Sequence, residues 1–142
     1  MGRLVAIDYG TKRTGIAVTD TLQIIANGLT TVPTHNIFGF LKEYFEKEPV
    51  DCIVIGYPKQ TNNQPSENLK NVISFKNKLK KLYPLLKIEF FDERFTSVMA
   101  HRVMIDGGLK KKDRANKALV DEISAVILLQ SYMESKHYNE QK

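Results

Sequence analysis

Acids stand at three widely separated places in this chain: Asp8, the pair Asp92-Glu93, and the pair Asp121-Glu122. Asp8 closes the apolar run Leu4-Val5-Ala6-Ile7 and opens the turn Tyr9-Gly10-Thr11-Lys12-Arg13-Thr14-Gly15. A second apolar run, Ile16-Ala17-Val18, then leads to Asp20. A carboxylate at the tip of a short β-branched strand presents its charge rather than burying it. Gly10 and Gly15 allow a tight bend and leave room for a ligand to come close. The same segment equally fits a plain hairpin in which Asp8 caps its own turn. Arg13 adds a cation that can fork onto a phosphate or a carboxylate. Asp121-Glu122 interrupts an otherwise apolar stretch from Ala118 to Val126, where an acid needs a cation or water as partner. The small residues Ser124 and Ala125, one turn on, predict that Asp121 packs closely on a sheet. Glu122 is expected on the exposed face.

The elements that must position these acids are legible from periodicity. Strand-like runs cover Arg3–Asp8, Gly15–Asp20 and about Gly28–Val32, and Asn36–Lys47 is helical, with Ile37, Phe40, Leu41, Tyr44 and Phe45 at helical spacing and Asn36 as its cap. Asp51–Gly56 is a continuously apolar strand of the kind buried on both faces. A helix is expected from Ser66 to about Tyr83, a strand over Lys87–Phe91, a helix from about Thr96 to Gly107-Gly108, and a last helix from about Asn116 to Ser135. The order β-β-β-α-β-α-β-α-α predicts an α/β fold. Its first strands pair antiparallel, and right-handed crossovers make the rest parallel. Strands one, four and five then lie side by side, with their C-terminal ends at the edge where open α/β sheets bind ligands.

That edge receives Asp8 from the first strand, Gly56-Tyr57-Pro58 from the fourth and Asp92-Glu93 from the fifth. Side chains alternate along a strand, so only one of Asp92 and Glu93 faces the crevice. Arg94 can neutralise the other. Carboxylates that converge without His or Cys describe a hard-cation site, suited to Mg²⁺ or Mn²⁺ with waters and phosphate oxygens completing the shell. Such a site serves phosphodiester hydrolysis.

Composition narrows the class. The chain has 142 residues, with Lys+Arg 21 against Asp+Glu 16, a net charge of +5 that favours an anionic partner. Residues 1–138 are expected to form a single domain, with 139–142 as a polar tail. Lys110, Lys111, Lys112, Arg114 and Lys117 cluster after Gly107-Gly108, where flexible cations can grip a phosphate chain. Lys76, Lys78, Lys80 and Lys81 read as a solvated helix face. Cys52 is the only cysteine, so an intrachain disulfide and a cysteine-based metal site are excluded, and a buried structural thiol is expected. No signal-like segment and no membrane-length apolar stretch is visible, which predicts a cytoplasmic setting without a membrane.

Four motifs in order resemble the YqgF (RuvX) family of pre-16S ribosomal RNA nucleases, also called Holliday junction resolvase-like proteins. They are Asp8-Tyr9-Gly10 with Arg13 and Gly15; Ile55-Gly56-Tyr57-Pro58; Asp92-Glu93-Arg94-Phe95-Thr96-Ser97; and Lys117-Ala118-Leu119-Val120-Asp121. The resemblance covers Leu4 to about Tyr132. It implies an RNase H-like mixed sheet of five strands, with helices on both faces. It also implies metal-binding, catalytic acids at Asp8, Glu93 and Asp121, which selects Glu93 over Asp92. Tyr57 stands where the family usually has Leu, and Glu122 where relatives often have a small residue. The activity implied is metal-dependent endonucleolytic cleavage with Mg²⁺ or Mn²⁺. The expected substrate is structured RNA, with maturation of pre-16S ribosomal RNA as the setting, and Arg13, Arg94, Lys110, Lys111, Lys112, Arg114 and Lys117 are expected to hold the nucleic acid.

Three alternatives use the same residues. A four-way-junction resolvase would place the acids on branched DNA and would be expected to dimerise; otherwise a monomer or weak homodimer is expected. An actin-like or sugar-kinase ATPase also opens with an Asp-x-Gly-Thr turn, but needs two such domains to enclose its nucleotide. A binding-only nucleic-acid protein would carry the acids without turnover.

Overall fold

The computed structural model describes residues 2–57, 68–92 and 117–140, without the side chains of Asp92, Lys117 and 137–140. Five strands form one sheet: β1 (Arg3–Tyr9), β2 (Arg13–Thr19), β3 (Ala26–Pro33), β4 (Val50–Tyr57) and β5 (Lys87–Asp92). Their order is β3-β2-β1-β4-β5. β1 pairs antiparallel with β2 and β2 with β3, whereas β1–β4 and β4–β5 are parallel. Strands one, four and five are therefore neighbours, as the element order predicts.

Two helices, α1 (Ile37–Lys47) and α2 (Leu69–Leu82), cover one face. Their core joins Val5, Ile7, Ile16, Val18, Ile53 and Ile55 to Ile37, Leu41, Val72, Phe75 and Leu79. The other face carries α3 (Lys117–Glu140), packed on Leu4, Ala6, Ala17, Cys52 and Val54 through Ala125, Leu128, Leu129 and Tyr132. α3 runs five residues beyond the expected end at Ser135. Alternation along each strand sorts the two cores, odd positions of β1 facing α1 and α2 and even positions facing α3. β4 reads as a continuous apolar run because it is buried on both faces.

Two local features differ from what the sequence pattern suggests. Asn36 makes no side-chain cap; a 3-10 turn over Thr34–Asn36 leads into α1 instead. The Thr34 hydroxyl donates to the Gly10 carbonyl at 2.7 Å, and its N–H to the Lys12 carbonyl at 3.0 Å, so this turn braces the β1–β2 hairpin. β2 begins at Arg13, two residues before the expected start at Gly15, so Gly15 lies inside the strand, opposite Asp8. The basic face of α2 is solvated as expected at Lys78, Lys80 and Lys81, while Lys76 is half-buried with its Nζ 4.4 Å from the Phe90 ring centre. Cys52 is buried as expected, and burial raises its thiol pKa. Among the described residues no helix is long and apolar enough to cross a membrane.

Candidate active site

Asp8 is the penultimate residue of β1, at the C-terminal end shared with β4 and β5. Its parity is that of Leu4 and Ala6, so its position belongs to the face covered by α3. Directly across the ladder stands Gly15, and next to it Thr14, a buried residue whose hydroxyl hydrogen-bonds Thr34 at 2.9 Å on the opposite face. The tip of β1 is also tied to α2. Asn68, just before that helix, donates from Nδ2 to the Tyr9 carbonyl at 2.7 Å, and Tyr9 stacks on Phe75 with ring centres 4.6 Å apart.

Asp121 reaches the same edge because α3 begins there and lies very close to β2. A Cβ built on Gly15 would stand 2.1 Å from the Asp121 carbonyl oxygen, and one built on Gly28 would stand 2.4 Å from Glu122 Oε1. At Gly15 the helix backbone itself fills the space a side chain would need, whereas at Gly28 the space is taken by the Glu122 side chain. Thr31 on β3 donates its hydroxyl to the Ala118 carbonyl at 2.6 Å, which anchors the first turn of α3. Behind Asp121, Ser124 and Ala125 are buried, as their small size predicts. Glu122 is half-buried over Gly28 and not on the exposed face expected for it.

Arg13, the first residue of β2, closes the arrangement. Its Nε donates to Asp121 Oδ2 at 2.9 Å, joining residues 108 positions apart. Of the two partners the sequence allowed for this guanidinium, the structure shows the carboxylate. Gly10 makes the preceding turn possible, since a Cβ there would lie 2.3 Å from the Arg13 carbonyl oxygen.

Asp8, Arg13 and Asp121 are thus brought to one edge of one sheet face. Lys117 begins α3. Glu93, Arg94, Lys110, Lys111, Lys112 and Arg114 lie outside the described residues, as does the helix expected from Thr96. Among the described residues no three His, Cys, Asp or Glu side chains form a metal-holding group; two of the three expected acids are described. Gly28, Thr31, Thr34 and Asn68 have supporting roles that were not foreseen. Glycine inside a strand pattern is the signal that pointed to one of them, since it marks close approach of another backbone.

A chain with this sheet order and a helix laid across the antiparallel half has the RNase H-like fold. A solved structure of T. thermophilus RuvC in complex with a Holliday junction substrate shares that fold, with a TM-score of 0.58 over 96% of each chain at 15% identity. The family described as "RuvX: Holliday junction resolvase" matches residues 2–135. A protein of Phocaeicola vulgatus named "Putative pre-16S rRNA nuclease" is 67% identical over 97% of this chain and 99% of its own length. One of the same name from Bacteroides thetaiotaomicron is 66% identical over 97% of this chain and 100% of its own. The chain belongs to the RuvX family.

Proposed function

We propose that this protein is a metal-dependent endonuclease that hydrolyses phosphodiester bonds in structured RNA, with maturation of the 5′ end of pre-16S ribosomal RNA as its role. The observation that carries the reading is the approach of Asp121 to the edge that bears Asp8. Glycine-sized gaps in β2 and β3 bring the two acids together from opposite ends of the chain. The names of the relatives support RNA as the substrate.

Glu93 is the third acid of the proposal. Glu89 and Phe91 of β5 contact Tyr132 of α3, whereas Phe90 packs with the α1–α2 core. Continuing that alternation by two positions supports Glu93 over Asp92. Carboxylate oxygens alone suit a hard divalent cation, so Asp8, Glu93 and Asp121 would hold Mg²⁺ or Mn²⁺. The bound ion would supply Lewis acidity to the phosphate and an activated water. The chain's own residues orient the acids through Arg13, Gly15 and Thr31, and the tip of β1 through Asn68 and Thr34. Arg94, Lys110, Lys111, Lys112, Arg114 and Lys117 are proposed to hold the nucleic-acid backbone, with affinity that falls as salt rises. A single domain over 1–138 in a cytoplasmic setting belongs to the same reading.

A second reading, cleavage of four-way-junction DNA, is favoured by the description of the matching family. Labelled precursor ribosomal RNA and junction DNA, incubated side by side with Mg²⁺ or Mn²⁺, decide between them. The RNA should be cut to 5′-phosphate and 3′-hydroxyl ends. Cleavage of the junction alone would establish the second reading, and undiminished cleavage in excess chelator would overturn both.

A further inference from the structure

Arg13 brings a cation onto the Asp121 carboxylate, and both ends of that contact are held by backbone packing. On one side, the Gly10 turn and the Thr34 N–H bond to the Lys12 carbonyl fix the start of β2. On the other, Gly15 seats the Asp121 backbone and Thr31 anchors the turn before it. The side chains of Arg13 and Asp121 remain 40% and 25% exposed, so water and ions reach the pair. Arg13 uses Nε for this bond, which sets the guanidinium beside the carboxylate. Asp8 lies across the ladder from Gly15, on the same face, so the two acids are drawn together and one cation offsets part of their repulsion.

We propose that Arg13 is the resident counter-ion of Asp121, a positioning residue that holds this carboxylate in the metal-free protein and sets how tightly a divalent cation binds. This rests on the proposed metal-binding role of Asp121. A divalent cation arriving at Asp121 meets a guanidinium on the same carboxylate, and like charges at that range oppose each other. The protein therefore trades metal affinity for a site that stays assembled when empty. A guanidinium serving only as a phosphate grip would leave metal affinity alone and would act on the salt dependence of nucleic-acid binding.

The test is calorimetric titration of the intact chain with Mn²⁺, without nucleic acid, for the wild type, Arg13→Gln, Arg13→Lys, Asp121→Asn and the double variant Arg13→Gln/Asp121→Asn. Arg13→Gln should tighten Mn²⁺ binding by about tenfold, because a cation beside the site is removed. The rise in melting temperature on adding Mn²⁺ should grow accordingly. Arg13→Lys, which keeps the charge, should stay within about twofold of the wild type. In the double variant the tightening should vanish, since it acts through Asp121. If Asp121→Asn does not weaken Mn²⁺ binding, or the wild type binds none, the metal-site reading fails and this inference falls with it. If Asp121→Asn weakens binding but Arg13→Gln does not tighten it, only the role of Arg13 is overturned. Unchanged Mn²⁺ affinity with a shallower salt dependence of RNA binding would return Arg13 to the substrate-gripping set. The pair is partly exposed and contributes little to stability, so Arg13→Gln is expected to fold.

Discussion

The two faces of the sheet are built to different rules. Toward α1 and α2 the strands present Val5, Ile7, Ile16, Val18, Ile53 and Ile55, bulky branched side chains that keep the helices at ordinary packing distance. Toward α3 the strands present Leu4, Cys52 and Val54, but also Ala6, Gly15, Ala17 and, from β3, Gly28. There the helix backbone itself meets the strands. The first face carries most of the large buried side chains; the second holds the acids. Small residues there give up buried area but let the start of a helix sit directly against a strand. The proposed site is on the face with less to bury.

Neutralising the three proposed metal-binding acids should have the largest effect on function. Asp8→Asn, Glu93→Gln or Asp121→Asn each removes a proposed metal-binding charge at nearly constant volume. Cleavage should drop by more than about a hundredfold, since loss of mere supporting contacts at metal sites already costs 10–100-fold. Melting temperature should hardly fall. Cleavage at the wild-type rate by any one variant would remove that residue from the site.

The α1–α2 face should respond in the opposite way. Ile53→Ala, at a fully buried position, should cost about 2–5 kcal/mol in urea denaturation. The cleavage rate per folded molecule should be unchanged. A rate loss equal to that of the acid variants would show that the two faces are not separable.

Gly15→Ala falls between these extremes. The added methyl meets the Asp121 carbonyl, so α3 must shift, at a cost of about 1–3 kcal/mol. Cleavage should fall together with stability, and Mn²⁺ should bind more weakly. A variant as stable and active as the wild type would mean that α3 does not sit against β2 as described.

The smallest effect is expected within the α3 face, away from the catalytic edge. Tyr132 donates to Glu89, which also pairs with Lys87 at 3.2 Å, while the Tyr132 ring lies across Phe91. The hydroxyl bond lowers the Glu89 pKa, whereas burial and the same bond raise that of Tyr132. A carboxyl whose folded pKa lies below its unfolded value contributes stability that is complete above the unfolded value. That contribution is lost as pH falls from about 4.5 through the folded pKa. With the Glu89 side chain 36% exposed, screening keeps it under about 1 kcal/mol. Urea midpoints compared at pH 7 and pH 3.5 should therefore fall less for Glu89→Gln than for the wild type. Equal falls would assign the acid sensitivity to other carboxylates.

Much of this was legible in the residues themselves. Alternation and helical spacing located all five strands and α1, α2 and α3, because period-2 and period-3.6 burial leave distinct patterns. The parallel half followed from helices placed between strands, and the edge bearing Asp8 followed from that topology. Position along the chain hid the rest. Gly15 looked like a turn residue because it closes a glycine-framed segment, yet it serves as the seat of a helix that begins a hundred residues later. Glu122 looked exposed because nothing local marks Gly28 as the gap it fills.

What the sequence determined alone is the set of elements, their order, and which acids end them, since each depends on neighbours within a few positions. The partner of Arg13 was left open between phosphate and carboxylate, because a guanidinium suits both and residues 13 and 121 share no local signal. Tertiary structure adds the carboxylate of Asp121 as a partner. α3 has to cross β1, β2 and β3 before Asp121 comes within 2.9 Å of Arg13, and its backbone comes up against β2 at Gly15, where no side chain stands in the way.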